Sequence, residues 1–447
     1  MDGIGPTGSA ATLAALDDAL VRNPGDRVAL HNRGVELRRL DRLPEALAMF
    51  ERAAGLGLRA PETTTMRGHV LADLGRFDEA ERAYRRAIEA KPDLIEAQVA
   101  LASLLPQLGR RSEALDGFRA GLAQAPQTGA LWVAALEAAK GQGDFAQLLA
   151  WAEAAEARFG ADTMVTVFAA RALSALGRDD EAYRRLDRAL DAEPGYAPAH
   201  ATMAHVLIRL GEPAQAAQAA MAANRLAPDD QSGWALLAAA WRLIGDPREE
   251  WLCRYDEFVM ELAVDLPAGL IAALSARHLA SAHPADQSLR GGTQTRGQLF
   301  ESADPSILAL AHETKRAIEA RIATLRTDSA HPFLARNTGR IAFSASWSVR
   351  LASEGFHVSH MHPAGWLSSA LYVALPDEVR AGTGEGALTF GVPDAALGLD
   401  LPPRRVVQPR EGLLVLFPSY LWHGTTPFVS KTPRMTVAFD ALPMPGA

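Results

Sequence analysis

The chain has 447 residues, about three times the usual single-domain length, so more than one domain with a sizeable core is expected. Its 48% hydrophobic and 22% charged residues exclude a collagen-like, coiled-coil or largely disordered protein. The formal charge of -8 gives no electrostatic footprint for nucleic acid and opposes binding to anionic membranes. A single cysteine, Cys253, excludes an intramolecular disulfide framework and points to a reducing compartment. No apolar run approaches the roughly 18 residues of a membrane span. Met1–Ser9 has neither the basic nor the apolar segment of a signal peptide. The expectation is a cytoplasmic protein with no nucleic-acid or membrane partner.

From the N-terminus, residues 1–25 read as a lead-in or capping segment, after which one phase recurs every 34 residues. Its markers are Gly75, Gly109, Gly143, Gly177, Gly211 and Gly245, with Asp41 in the first unit. A small residue follows five positions on (Ala46, Ala80, Ala114, Ala182, Ala216), and a bulky one nine positions on (Phe50, Tyr84, Phe118, Leu186). Proline follows seventeen positions on, at Pro92, Pro126, Pro194 and Pro228. Such a unit is two short helices: glycine opens the turn between them, alanine lets them approach, the bulky residue fills the space beyond, and proline ends the second helix. The segment resembles a tetratricopeptide repeat array of about seven units over residues 26–262. That resemblance implies an α-solenoid and a protein or peptide partner held by the repeats.

Pro106 falls inside the first helix of the third unit and should kink it. The fourth unit has Leu148, Ala152 and Gly160 at the three diagnostic places and is expected to be looser. The seventh keeps Gly245 but loses the rest, so its second helix should cap the array or dock on the C-terminal domain. The concave face of first helices would carry His31, Thr65, Val99, Val133 and Val167. These are mostly apolar, suited to a peptide groove or simply to packing.

Over residues 263–447 the phase stops and alternating β-formers take over: Ile341–Leu351, Trp366–Leu375, Gly386–Phe390, Gly412–Phe417 and Arg434–Phe439. A helix between Pro305 and Leu325 should pack on the sheet through Ile307, Leu310, Ile318 and Ile322. Short strands at this spacing suggest a sandwich or jelly roll.

His357, His360, His362 and His423 are four of the chain's twelve histidines, and the first three fall within six residues. His360 and His362 stand at i, i+2, so on an extended strand both rings leave the same face and can share one metal ion. His423 follows an apolar strand and offers a third donor from the opposite rim, whereas His357, at i, i+3 from His360, should face the other way. Arg434 is placed to clamp a carboxylate. Lone histidines such as His283, His312 and His331 are assigned no role, and neither Glu354 nor Glu411 has the spacing of a ligand. Trp366 and Trp422 read as core or pocket wall, and Gly291-Gly292 beside Arg290 reads as a tight turn or a substrate-pocket edge.

The blocks Gln287–Thr295, Ser346–Arg350, Ser359–Pro363, Leu416–Thr425 and Arg434–Asp440 resemble the iron(II)- and 2-oxoglutarate-dependent oxygenases, in the bacterial subgroup whose catalytic domain follows tetratricopeptide repeats. The resemblance implies a double-stranded β-helix and an iron(II) triad matched by His360, His362 and His423. It implies Arg434 on the distal carboxylate of 2-oxoglutarate, helped by Thr436 and Tyr372, with dioxygen as oxidant and no catalytic side chain beyond the metal ligands. Histidine at 362 departs from the carboxylate usual there, keeping the facial donor set but removing one negative charge. The expected function is hydroxylation of a protein or peptide recruited by the repeats. The alternatives are a small-molecule oxygenase whose repeats mediate assembly, a scaffold with a degenerate β domain, and a three-histidine zinc hydrolase.

Overall fold

The computed structural model of the chain describes residues 6–279, 288–295 and 298–445. A helix, Pro6–Arg22, precedes the repeats in the segment expected as a lead-in. Then come paired helices in the 34-residue phase, among them Arg27–Arg39 with Leu43–Gly55, Pro61–Asp73 with Phe77–Ala90, and Ala197–Arg209 with Pro213–Leu226. The marker glycines sit in the turns, with φ between 67° and 77° at Gly75, Gly109, Gly143, Gly177, Gly211 and Gly245. Side chains with a Cβ resist this left-handed conformation, although Asp41 adopts it at φ 59°. Asp26 caps its helix by accepting from the amides of Val28 and Ala29, satisfying donors that have no intrahelical partner. The bulky positions act as expected: a Cβ on Gly34 would meet the Phe50 ring at 2.8 Å, and one on Gly68 would meet Tyr84 at 2.5 Å. Both rings are buried.

Irregularity falls in the third unit rather than the fourth. There the first helix stops at Leu104 and continues as a 3₁₀ turn, Leu105–Leu108, because Pro106 donates no amide hydrogen bond. The fourth unit has an unbroken helix, Phe145–Phe159, with Leu148 fully buried where alanine was expected. The seventh unit's second helix shrinks to Arg248–Cys253, followed by one turn, Tyr255–Phe258.

Among the described residues nine strands follow: β1 (Met260–Ala263), β2 (Leu289–Gln294), β3 (Ile341–His357), β4 (Leu367–Ala374), β5 (Leu388–Phe390), β6 (Arg405–Val407), β7 (Leu413–Pro418), β8 (His423–Thr425) and β9 (Arg434–Pro443). They form an antiparallel sheet in the order β1-β7-β4-β9-β3-β2 and a smaller one in the order β6-β5-β8. The expected border at 262/263 therefore falls inside β1, which pairs Met260 with Leu416 on β7. The helix expected near 305 runs Pro305–Ile322 and buries Ile307, Leu310, Ile318 and Ile322. The protein is thus an α + β chain, a helical repeat region followed by an antiparallel β domain of the two-sheet jelly-roll kind.

The chain forms two compact bodies, one built mainly from residues 6–142 and one built mainly from residues 143–445. Within the second, the seventh unit's first helix, Gln231–Ile244, is bonded to the β domain. Gln231 donates its amide to Pro363 O at 2.9 Å, and Trp422 Nε1 donates to Ala235 O at 3.0 Å. Tyr420 reaches Leu252 O at 2.8 Å. Three-body packing of His331 with Trp251 and Phe258 closes the same junction.

A candidate metal centre

The two sheets enclose a cavity of about 530 Å³. At one side His360, His362 and His423 converge, each offering a nitrogen within 4.8 Å of the others. Local backbone pairing creates this arrangement. His360 and His423 face each other in an isolated antiparallel bridge and exchange both amide hydrogen bonds at 2.9 Å, while the His362 amide donates to Ser419 O at 3.0 Å. The His-Met-His segment is therefore a bridge leading into a loop, and His423 is its direct neighbour rather than a donor from an opposite rim. Gly424 permits that approach, since a Cβ there would lie 3.0 Å from His357 O and 3.1 Å from Ser359 N.

Each ring is fixed through its Nδ1. His360 donates to Val358 O and His423 to Leu421 O, both at 2.9 Å, and His362 donates to Asp440 Oδ2 at 2.8 Å. That leaves the three Nε2 atoms as acceptors. Burial, reinforced by the neighbouring imidazoles, pulls His360 down to about 4 and His423 well below its ordinary value. Neutral imidazoles with free Nε2 atoms are the form that binds a metal. Ser288 Oγ lies 3.2 Å from His360 Nε2 and 2.9 Å from His357 Nδ1.

His357 corrects the expectation that it turns away. It ends β3, so the strand's alternation stops before His360, and its ring lines the same cavity and stacks 5.9 Å from that of His360. It lies beside the cluster without joining it.

β9 supplies the other wall. Alternation puts Arg434, Thr436, Ala438 and Asp440 on its cavity face. Arg434 is 3% exposed and donates through Nη1 to Gly386 O at 2.7 Å, while its Nε is buried without a partner. Tyr372 is fully buried 5.5 Å from the guanidinium, and its hydroxyl also lacks a partner. Thr436 pairs with Tyr372 in register. Burial depresses the Arg434 pKa and raises that of Tyr372. An unpaired guanidinium edge and phenol facing one cavity suit an anion such as a carboxylate.

Other candidates fall elsewhere. Arg290 is exposed, and Gly291, with φ 66°, marks a bulge inside β2 rather than the tight turn expected there. Arg350 is half-buried on β3 and does not line the cavity. Glu354 and Glu411 are exposed, the latter holding Arg380 and the Leu375 amide. Trp366 is core, bonded to Phe333 O. His312 is exposed, and His283 and Gln287 lie outside the described residues. His331 is a fully buried bolt, accepting from the Phe333 amide while its other nitrogen meets the Trp251 and Leu252 carbonyls. Asp440 and Ser288 went unread in the sequence. The period-2 spacing from Arg434 was the signal for Asp440; Ser288 had none.

Residues 345–440 match the family described as "Putative 2OG-Fe(II) oxygenase". Residues 71–140 and 173–240 match the tetratricopeptide repeat. The chain therefore carries tetratricopeptide repeats followed by a segment that matches the putative 2OG-Fe(II) oxygenase family over residues 345–440. That family implies iron(II), 2-oxoglutarate and dioxygen. No curated protein matches the chain. Similar solved structures include a tetratricopeptide repeat protein from Parabacteroides merdae, with 17% identity over 52% of this chain and 92% of that one and a TM-score of 0.35. YrrB, described as a TPR protein with an unusual peptide-binding site, has 18% identity over 49% of this chain and 96% of its own, with a TM-score of 0.28. Among the described residues no helix is long and apolar enough to cross a membrane.

Proposed function

We propose that the β domain is an iron(II)- and 2-oxoglutarate-dependent hydroxylase, with His360, His362 and His423 holding the metal and Arg434, Tyr372 and Thr436 holding the co-substrate. The observation that carries this reading is the pairing, in one cavity, of three convergent imidazole acceptors with a buried arginine whose Nε has no partner. Iron held by His360, His362 and His423 would supply the activation of dioxygen, with one oxygen atom passing to succinate as 2-oxoglutarate loses CO2 and the other to the substrate as a hydroxyl. The chain's own residues bind, orient and exclude water. Arg434, pinned by Gly386 O, presents its free edge to the C5 carboxylate, and Tyr372 donates its hydroxyl to the same group. Ser288 Oγ, within reach of both His360 Nε2 and His357 Nδ1, would have to give up the first contact for His360 to hold a metal. Trp347, whose ring lies parallel to His362 at 6.0 Å, Met361 and Gln294 line the space left for substrate.

A zinc hydrolase would share the three imidazoles but has no use for a buried arginine whose Nε is left without a partner. We further assign a protein or peptide substrate, since the repeats are of a type that suits extended chains and their fusion raises its concentration at the site. Of the concave positions, Val99 is 44% exposed and Val133 half-buried, whereas Val167 and Thr65 are buried. The apolar contact thus narrows to the region of Val99. The test is succinate release by iron-loaded protein in oxygen, with 2-oxoglutarate binding measured by calorimetry. Both should require His423. Metal-independent 2-oxoglutarate binding, or none at all, refutes the assignment.

A further inference from the structure

The three imidazoles are not held alike. His360 and His423 rest their Nδ1 atoms on neutral carbonyls, Val358 O and Leu421 O. His362 alone rests on a carboxylate, Asp440 Oδ2, at 2.8 Å. Asp440 is itself fixed: Oδ1 accepts from Ser368 Oγ at 2.7 Å, and Ser368 Oγ meets Ser419 Oγ at 2.9 Å. The carbonyl of that same Ser419 receives the His362 amide at 3.0 Å. Ring and backbone of His362 are thus tied into one closed loop of hydrogen bonds, with both members of the His362–Asp440 pair under a fifth exposed, at 17% and 14%.

Resting on the metal reading above, we propose that Asp440 is a positioning residue that supplies, through His362, the one negative charge the donor set lacks. A carboxylate on Nδ1–H makes Nε2 a stronger donor and fixes the ring's tautomer and tilt. Three neutral imidazoles leave a divalent ion's charge uncompensated. The compensation sits behind the single ligand that replaces a carboxylate, and it is displaced by one ring rather than lost.

The test uses full-length protein and Co(II) as an optical and calorimetric probe. Asp440→Asn keeps size and one acceptor but removes the charge. It should lower Co(II) affinity about 10- to 100-fold and shift the visible absorption of the bound ion. Ser368→Ala, which leaves the charge in place, should stay within a few-fold of wild type. In a His362→Asp background the ligand brings its own charge, so adding Asp440→Asn should leave affinity unchanged or raise it. If the single variant proves too unstable to isolate, the two His362→Asp proteins decide alone: a further loss in the double variant overturns the proposal. Equal affinity and spectrum in Asp440→Asn and wild type also overturn it, and leave the metal site standing. Should wild type bind no Co(II) that His423→Ala abolishes, the metal reading fails and takes this inference with it.

Discussion

Arg434 concentrates the electrostatic cost of the site. A guanidinium at 3% exposure with an unpaired Nε is poorly compensated for its lost hydration. Replacing it by an apolar side chain of similar length should leave the fold as stable as before, or more so. Arg434→Met should therefore raise the melting temperature or leave it unchanged, keep metal affinity, and weaken 2-oxoglutarate binding by about 2–5 kcal/mol, read by calorimetry. Arg434→Lys should not restore binding, because an ammonium cannot offer two parallel donors. A different residue-scale effect belongs to His278, which is buried and neutral, with its pKa pulled down to about 4 by burial and by Arg350. Its Nδ1 meets Thr293 Oγ1 and its Nε2 meets Ser348 Oγ, both at 3.0 Å. Unfolded histidine takes up a proton near pH 6.5 and folded His278 only near 4, so stability is full above 6.5 and falls as the pH drops through that window. His278→Gln should remove part of that slope, up to about 2 kcal/mol in denaturant titrations at pH 7 and pH 4.5. An unchanged slope means that the ring titrates normally.

At the scale of elements, the loops that carry His362 and His423 lean on a repeat helix. Trp422, next to His423, donates to Ala235 O, and Pro363, next to His362, accepts from the Gln231 amide. Trp422→Phe keeps most of the packing and removes one hydrogen bond. Stability should drop by about 1 kcal/mol, and metal affinity should fall several-fold because His423 loses its lateral support. Metal affinity equal to wild type would mean that the bridge between His360 and His423 suffices by itself. The first helix of the seventh unit is in this sense part of the β domain's wall, which the abrupt loss of repeat character after Gly245 hinted at without locating.

For the whole molecule, that junction changes how recruitment is tested. A chain starting at residue 241 lacks Gln231 and Ala235, which hold the loops carrying His362 and His423, and Arg209, which donates to Ala396 O at 2.7 Å. Such a chain should melt early or fail to fold, so lost activity in it would say nothing of substrate capture. Val99→Glu in the full chain is the cleaner change. It should raise KM for a protein substrate with kcat and 2-oxoglutarate affinity unchanged. An unchanged KM would assign the repeats to assembly instead.

The sequence by itself determined what is decided by neighbours along the chain. The 34-residue phase was legible because each helix, turn and cap depends on residues a few positions apart, and the marker glycines stand at the left-handed turns they were read to occupy. The strands β3, β4, β5, β7 and β9 were legible from alternation, and the chemistry-bearing residue types from their spacing. Tertiary structure alone decided what depends on register between distant segments. His362 meets Asp440 across 78 residues and His360 meets Ser288 across 72. Short strands such as β1 and β8 owe their existence to partners on β7 and β5 rather than to their own composition. His357 shows the limit most plainly: its direction followed from where β3 ends, and a strand ends where its partner stops pairing, which no local pattern records.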